Sequence, residues 1–139
     1  MLIVWVYKDY DNTVLLVGGL FHTFFTIPAL LLHISYTIKN WGTIIEINDN
    51  DFVVTQNGEV RSYKKSDIKS IMLFQSAGLD KWSFPMSAMD YYKYVRLTNV
   101  QGENIFITCL MTTRMQDVIS QFSSIPYLRE KGIAIIRNR

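Results

Sequence analysis

Histidine, cysteine and proline are scarce in this sequence, and charge is thin. Both histidines, His22 and His33, stand in one apolar segment, and none follows it. Hydrolytic or redox chemistry needs a base beside a nucleophile, or ligands converging on a metal, and the chain beyond Asn40 has no imidazole to offer. The one cysteine, Cys109, has no intrachain partner and no Asn-x-Ser/Thr acceptor site occurs, so nothing calls for an extracellular setting. Cys109 sits beside Phe106 and Ile107 in a strand-like run, the usual place of a small core residue. Gly58, Gly78, Gly102 and Gly132 stand far apart, which argues against a glycine-rich phosphate loop. Charged residues are only 19% and the formal net charge is +2, too balanced for a nucleic-acid partner. These absences favour a protein that is not an enzyme, with no cofactor and no metal site.

What is abundant is apolar residues, at 49%. The excess is N-terminal: only Lys8, Asp9, Asp11 and Lys39 are charged before Trp41, and the other 22 charges follow. Thr13 to Ile38 holds 26 consecutive residues without Asp, Glu, Lys or Arg. As a helix rising about 1.5 Å per residue it spans about 39 Å, against a bilayer hydrocarbon core of about 30 Å. Residues 13–38 are therefore expected to cross a membrane with room to tilt. Tyr7 and Tyr10 at one end and Tyr36 and Trp41 at the other suit interfacial aromatic belts. A cleaved signal peptide has an apolar region of about 7 to 15 residues behind positive charge, whereas Asp9 and Asp11 stand here.

Within this helix Gly18, His22, Thr26, Ala29 and His33 share one face, small and polar, opposite large aliphatic and aromatic side chains. Such a face packs against another helix, so a partner protein or a homo-oligomer is expected through the span. His22 and His33 lie about 16 Å apart by helical rise, too far to share one metal. Pro28 is expected to kink the helix. Residues 1–12 form a flank; Leu2 to Tyr7 is too short to cross and reads as the end of an upstream helix if the true start lies earlier.

After Gly42 the period changes from 3.6 to 2 and turn residues separate short strands. Six strands are expected: Thr43 to Ile47, Phe52 to Thr55, Glu59 to Tyr63, Ile68 to Phe74, Tyr91 to Thr98 and Asn104 to Leu110. Asn57-Gly58 fits a type I′ turn. A helix comes next, with Thr113 and Gln116 as a capping box and Met115, Val118, Ile119 and Phe122 as its core stripe. In the extension 123–139, Tyr127 to Lys131 reads as one helical turn and Ile133 to Ile136 as an added strand.

This order of elements, with IIEINDNDFVVTQNG and YKKSDIKSI, resembles the bacterial pleckstrin-homology-like (PH-like) domain proteins. The resemblance covers about 80 residues, Thr43 to Phe122. It implies a half-open β-barrel capped by one C-terminal helix, tethered to a membrane segment, with the β-domain on the cytoplasmic side of a bacterial inner membrane. The family's phosphoinositide readers carry basic residues around the first hairpin loop, where this chain has the acidic Asn48-Asp49-Asn50-Asp51.

Two surface groups are candidates for binding. The sixteen-residue connection Gln75 to Asp90 is longer than most structureless loops and carries Trp82, Phe84, Met86 and Met89, side chains suited to a protein or peptide partner. Arg61, Lys64, Lys65 and Lys69 form a basic group that can face anionic lipid. The expected function is a membrane-anchored, non-catalytic interaction module. The alternatives are an accessory subunit of a transporter or membrane enzyme working through the His22/His33 face, and a lipid-surface sensor.

Overall fold

A computed structural model describes residues 12–76, 88–132 and 134–136. Helix α1, Asn12–Asn40, runs unbroken through Pro28 and is long and apolar enough to cross a membrane. It ends at Gly42, whose φ of +62° suits glycine, and whose carbonyl accepts the Asn57 N–H at 3.0 Å. A Cβ at Gly42 would lie 2.8 Å from Asn57 Oδ1, so this corner also requires the missing side chain.

Strands β1 (Thr43–Ile47), β2 (Asp51–Gln56) and β3 (Glu59–Lys64) form an antiparallel sheet in that order. Asn57 and Gly58 both have positive φ, 51° and 86°, as the type I′ hairpin requires. Period-two patterning puts Phe52 and Val54 inward on β2. A single 3-10 turn, Lys65–Asp67, leads into β4 (Ile68–Gln75), the first strand of the second sheet. There β5 (Tyr94–Asn99) and β6 (Asn104–Thr108) continue antiparallel, and β7 (Tyr127–Lys131) completes the sheet in the order β6-β5-β4-β7.

Helix α2, Met115–Ser120, covers the space between the sheets. Met115, Ile119 and Phe122 are buried and Val118 packs beside them, so the stripe faces the core. Its start differs from the expected capping box: Arg114 precedes the first turn with φ −95° and ψ 55°, and no side chain caps it. The Thr112 hydroxyl instead accepts the Arg114 N–H at 3.1 Å. Tyr127–Lys131 is not a helical turn but a strand, parallel to β4 from Ile71↔Tyr127 to Gln75↔Lys131. Residues 134–136 are irregular rather than an added strand.

The main core joins Phe52, Ile71, Leu73, Val95, Leu97, Ile105 and Ile107 from both sheets with the α2 stripe. Phe52 stacks on Tyr63 at 5.2 Å and meets the edge of Phe122 at 5.8 Å. A second, smaller core holds Leu32, Tyr36, Tyr94 and Ala134, with Phe74, Met89, Tyr92, Phe106 and Cys109 packed around it. The two sheets do not close into a barrel, and β3 and β4 are not paired to each other.

Candidate functional site

The second core is where the apolar helix meets the β-domain. Ala29, Leu32 and Tyr36, spaced three and four apart, form the buried face of α1, while Leu16, Leu20, Phe24, Leu31 and Ile38 are exposed. Tyr36 is fully buried and its hydroxyl donates to the Ala134 carbonyl at 2.7 Å. The Tyr92 hydroxyl lies 2.9 Å from His33 Nδ1, which accepts in the tautomer that carries its proton on Nε2. Burial pushes the Tyr92 phenol up from its ordinary value, so it remains a donor at neutral pH. At the end of the helix the Asn40 amide donates to the Thr108 hydroxyl at 2.7 Å and receives its proton at 2.9 Å, and Lys39 lies over the Phe106 ring.

Along the helix, His33 meets Tyr92, Tyr36 meets Tyr94, Lys39 meets Phe106, the cross-strand partner of Arg96, and Asn40 meets Thr108, the cross-strand partner of Tyr94. The turn Ala88–Tyr91, Tyr92 and Ala134 lie on the helix side, and Asn99 marks the opposite, far end of β5. The far end holds Asn48 to Asp51, Lys64 to Asp67 and the turn from Asn99 to Glu103, joined through Lys65 N–H to Asn50 O and Val100 N–H to Asp67 O.

A groove of about 730 Å³ opens at the far end, lined by Asp49, Asp51, Lys64, Lys65, Phe122 and Pro126 among others. Its charges alternate in sign, so it is not a concentrated anion cup. Beside it runs β3, the outer strand of its sheet, with Val60 and Ser62 exposed. The two-residue turn makes Gln56↔Glu59 a hydrogen-bonded pair, and the antiparallel alternation then leaves the N–H and C=O of Val60, Ser62 and Lys64 pointing outward. No strand pairs with that edge among the described residues. A second cavity, about 290 Å³, separates the sheets where Lys39, Arg61, Tyr63 and Glu103 meet.

Of the basic candidates, Lys64 and Lys65 share the far-end groove, and Lys65 also lies over the Phe122 ring. Arg61 is engaged by Glu59 at 2.7 Å and Glu103 at 3.1 Å, and its hydrogen bonds to Glu59 and Tyr63 raise its pKa further. Lys69 stands exposed on β4. Trp82, Phe84 and Met86 lie outside the described residues, while Met89 is half-buried against the second core. The polar face of α1 is divided: His33 meets the domain and Ala29 is buried, whereas Gly18, His22 and Thr26 are exposed, with Thr26 3.3 Å from His22. The residues that sequence reasoning missed are Tyr36, Tyr92 and Tyr94. The signal was there in part, since Ala29, Leu32 and Tyr36 have helical spacing, but nothing local names their partners. Among the described residues no group of three or more His, Cys, Asp or Glu converges to hold a metal. Burial pushes the Cys109 thiol up, away from the reactive thiolate.

A family model for the PH domain matches residues 1–116. The chain belongs to the PH domain family. The match includes α1 and every strand through β6, and stops at Gln116 near the start of α2. The remainder of α2, β7 and the Ala134 anchor of this PH domain lie beyond the matched residues. Neither the curated proteins nor the solved structures contain a match. The fold is that of an interaction module, an apolar helix followed by two unclosed sheets and a short later helix.

Proposed function

We propose that this PH domain is a membrane-anchored, non-catalytic module that holds a protein or peptide partner at its far end, with α1 inserted in the bilayer. The observation that carries the reading is the free edge of β3 beside a groove of alternating charge. An extended segment can add to such an edge through main-chain hydrogen bonds, while neighbouring pockets select its side chains. Val60, Ser62 and Lys64 supply the main-chain groups; Asp49, Asp51, Lys64 and Lys65 supply charges of both signs; Phe122 and Pro126 supply apolar surface. Acidic Asp49 and Asp51 oppose a lone phosphate at the same place. For the anchor, the 29-residue length of α1 and its uncharged run from Thr13 to Ile38 are the support.

The test compares Val60→Pro with Ser62→Pro against Lys64→Glu with Lys65→Glu, in full-length protein expressed in native membranes. Proline removes an outward N–H from an edge strand without breaking its inner ladder. Co-purified protein partners should be lost from the proline pair and largely kept by the lysine pair. Loss confined to the lysine pair, with strong salt dependence in liposome binding, would replace the peptide reading with one of anionic lipid. Release of the wild-type chain by alkaline carbonate would remove the anchor.

A further inference from the structure

We propose that α1 is also the pairing surface for a second copy of this chain, through an unbroken apolar line that runs from the bilayer up alongside the domain. Val17, Leu20, Phe24, Ile27, Leu31, Ile34 and Ile38, with Trp41 just past the helix, follow one another at alternating steps of three and four, and all are exposed. That is the period of about 3.5 residues of a coiled-coil seam. At about 100° per residue the line lies about 160° around the helix from Leu32, His33, Tyr36, Lys39 and Asn40, the face that carries the domain. The line and the domain therefore occupy opposite sides of α1, and two copies can meet there without their helix-bound domains intervening.

What can cover the line changes along its length. The inference rests on the anchoring of α1, so lipid can cover the part nearer Asn12. Contact with the domain begins at Leu32 and His33, about 30 Å from Asn12, and a hydrocarbon core is about 30 Å thick. Ile34, Ile38 and Trp41 lie past that level, where acyl chains end, yet Ile38 is 69% and Trp41 75% exposed. Apolar surface of this kind marks a protein interface. Three observations make the chain itself the occupant. Copies inserted the same way round lie parallel, the orientation in which such a line faces its own equivalent. No Asp, Glu, Lys or Arg stands between Thr13 and Ile38, so no like charges oppose across the seam, and a charged partner would find nothing to pair with. The line's side chains, at about 100 Å² each, offer about 800 Å² per copy, the area that a stable interface of standard size takes from each partner. The small polar face, by contrast, is already partly engaged, His33 by Tyr92.

The test is disulfide formation between single cysteines in isolated native membranes, using full-length protein with Cys109→Ala. Leu20→Cys, Ile34→Cys and Ile38→Cys lie on the line, and Gly18→Cys and Thr26→Cys lie on the polar face. All of these positions are exposed, so the substitutions leave the cores intact. After mild oxidation the covalent dimer should be several-fold more abundant for the three line variants than for the two polar-face variants. Adding Ile34→Lys with Ile38→Lys should cut the Leu20→Cys dimer several-fold. Dimer from the polar-face variants in place of the line would move pairing to the other side of the helix, and dimer from Leu20→Cys alone would mean that the helices touch in the bilayer and part beside the domain; either result overturns the proposal. Monomer throughout, in a chain that resists alkaline carbonate extraction, overturns the pairing and leaves the anchor standing. Release by carbonate removes the anchor and the pairing with it.

Discussion

Phe122 shows how one residue can hold a fold whose two sheets do not close. It is 2% exposed, meets Phe52 edge to face, and carries Lys65 over its ring. Truncating such a ring leaves a cavity that rigid strands cannot fill, so Phe122→Ala should cost about 3 to 5 kcal/mol, read as a lowered chemical denaturation midpoint in detergent. Its place was legible because a stripe of buried side chains at helical period has few other readings. The capping box was not, because Thr113 and Gln116 have the right letters while the non-extended dihedrals at Arg114 deny the box its geometry. Cys109 gives a residue-scale pH prediction. Burial raises its folded pKa, whereas an unfolded thiol ionises near 8.5. A raised folded pKa stabilises in full below the unfolded value, and this contribution is lost as pH rises through the folded one. Alkylation of native protein at mildly alkaline pH should be slow, and unfolding should bring it to the rate of a free cysteine thiol.

At the scale of elements, the hairpins were legible and β7 was not. Asn57-Gly58 specifies its turn by two positive φ values, and Phe52 and Val54 alternate inward beside it. Strand β7 is exposed at every position, so no hydrophobic face marks it, and its parallel partner β4 lies over 50 residues earlier. Main-chain pairing stabilises β7, and so do anchors at its two ends. Ile71 N–H donates to Pro126 O, Gly132 N–H to Gln75 O, and the two tyrosine hydroxyls hold Ala134 and Ile135. Deleting residues 127–139 should therefore bare the β4 edge and loosen the helix from the domain. Amide exchange should accelerate at β4 and around 88–92 while β1 to β3 keep their protection; unchanged exchange around 88–92 would show that the tail does not support the docking.

The whole molecule departs most from a reading by segments, which gives a span and a separate domain joined near Lys39 to Gly42. The structure makes α1 and the second sheet share a core, through pairs such as His33 with Tyr92 and Tyr36 with Ala134 that are 59 and 98 residues apart. Such pairs leave no periodic trace, because each partner is a single aromatic or small residue in an element whose pattern is set by other contacts. The shared core holds the domain in one pose on the helix. Lys64 and Lys65 share their groove with Asp49 and Asp51, and the net charge of +2 is too small for the whole domain to be drawn down. Energy transfer from a fluorophore at Val100→Cys to headgroup-labelled lipid in nanodiscs should therefore stay constant when phosphatidylserine replaces phosphatidylcholine, and Lys64→Glu with Lys65→Glu should leave it unchanged. A rise in transfer with phosphatidylserine that the lysine substitutions abolish would mean that the domain swings on its helix and reads anionic lipid with its basic group, contrary to a rigid shared core.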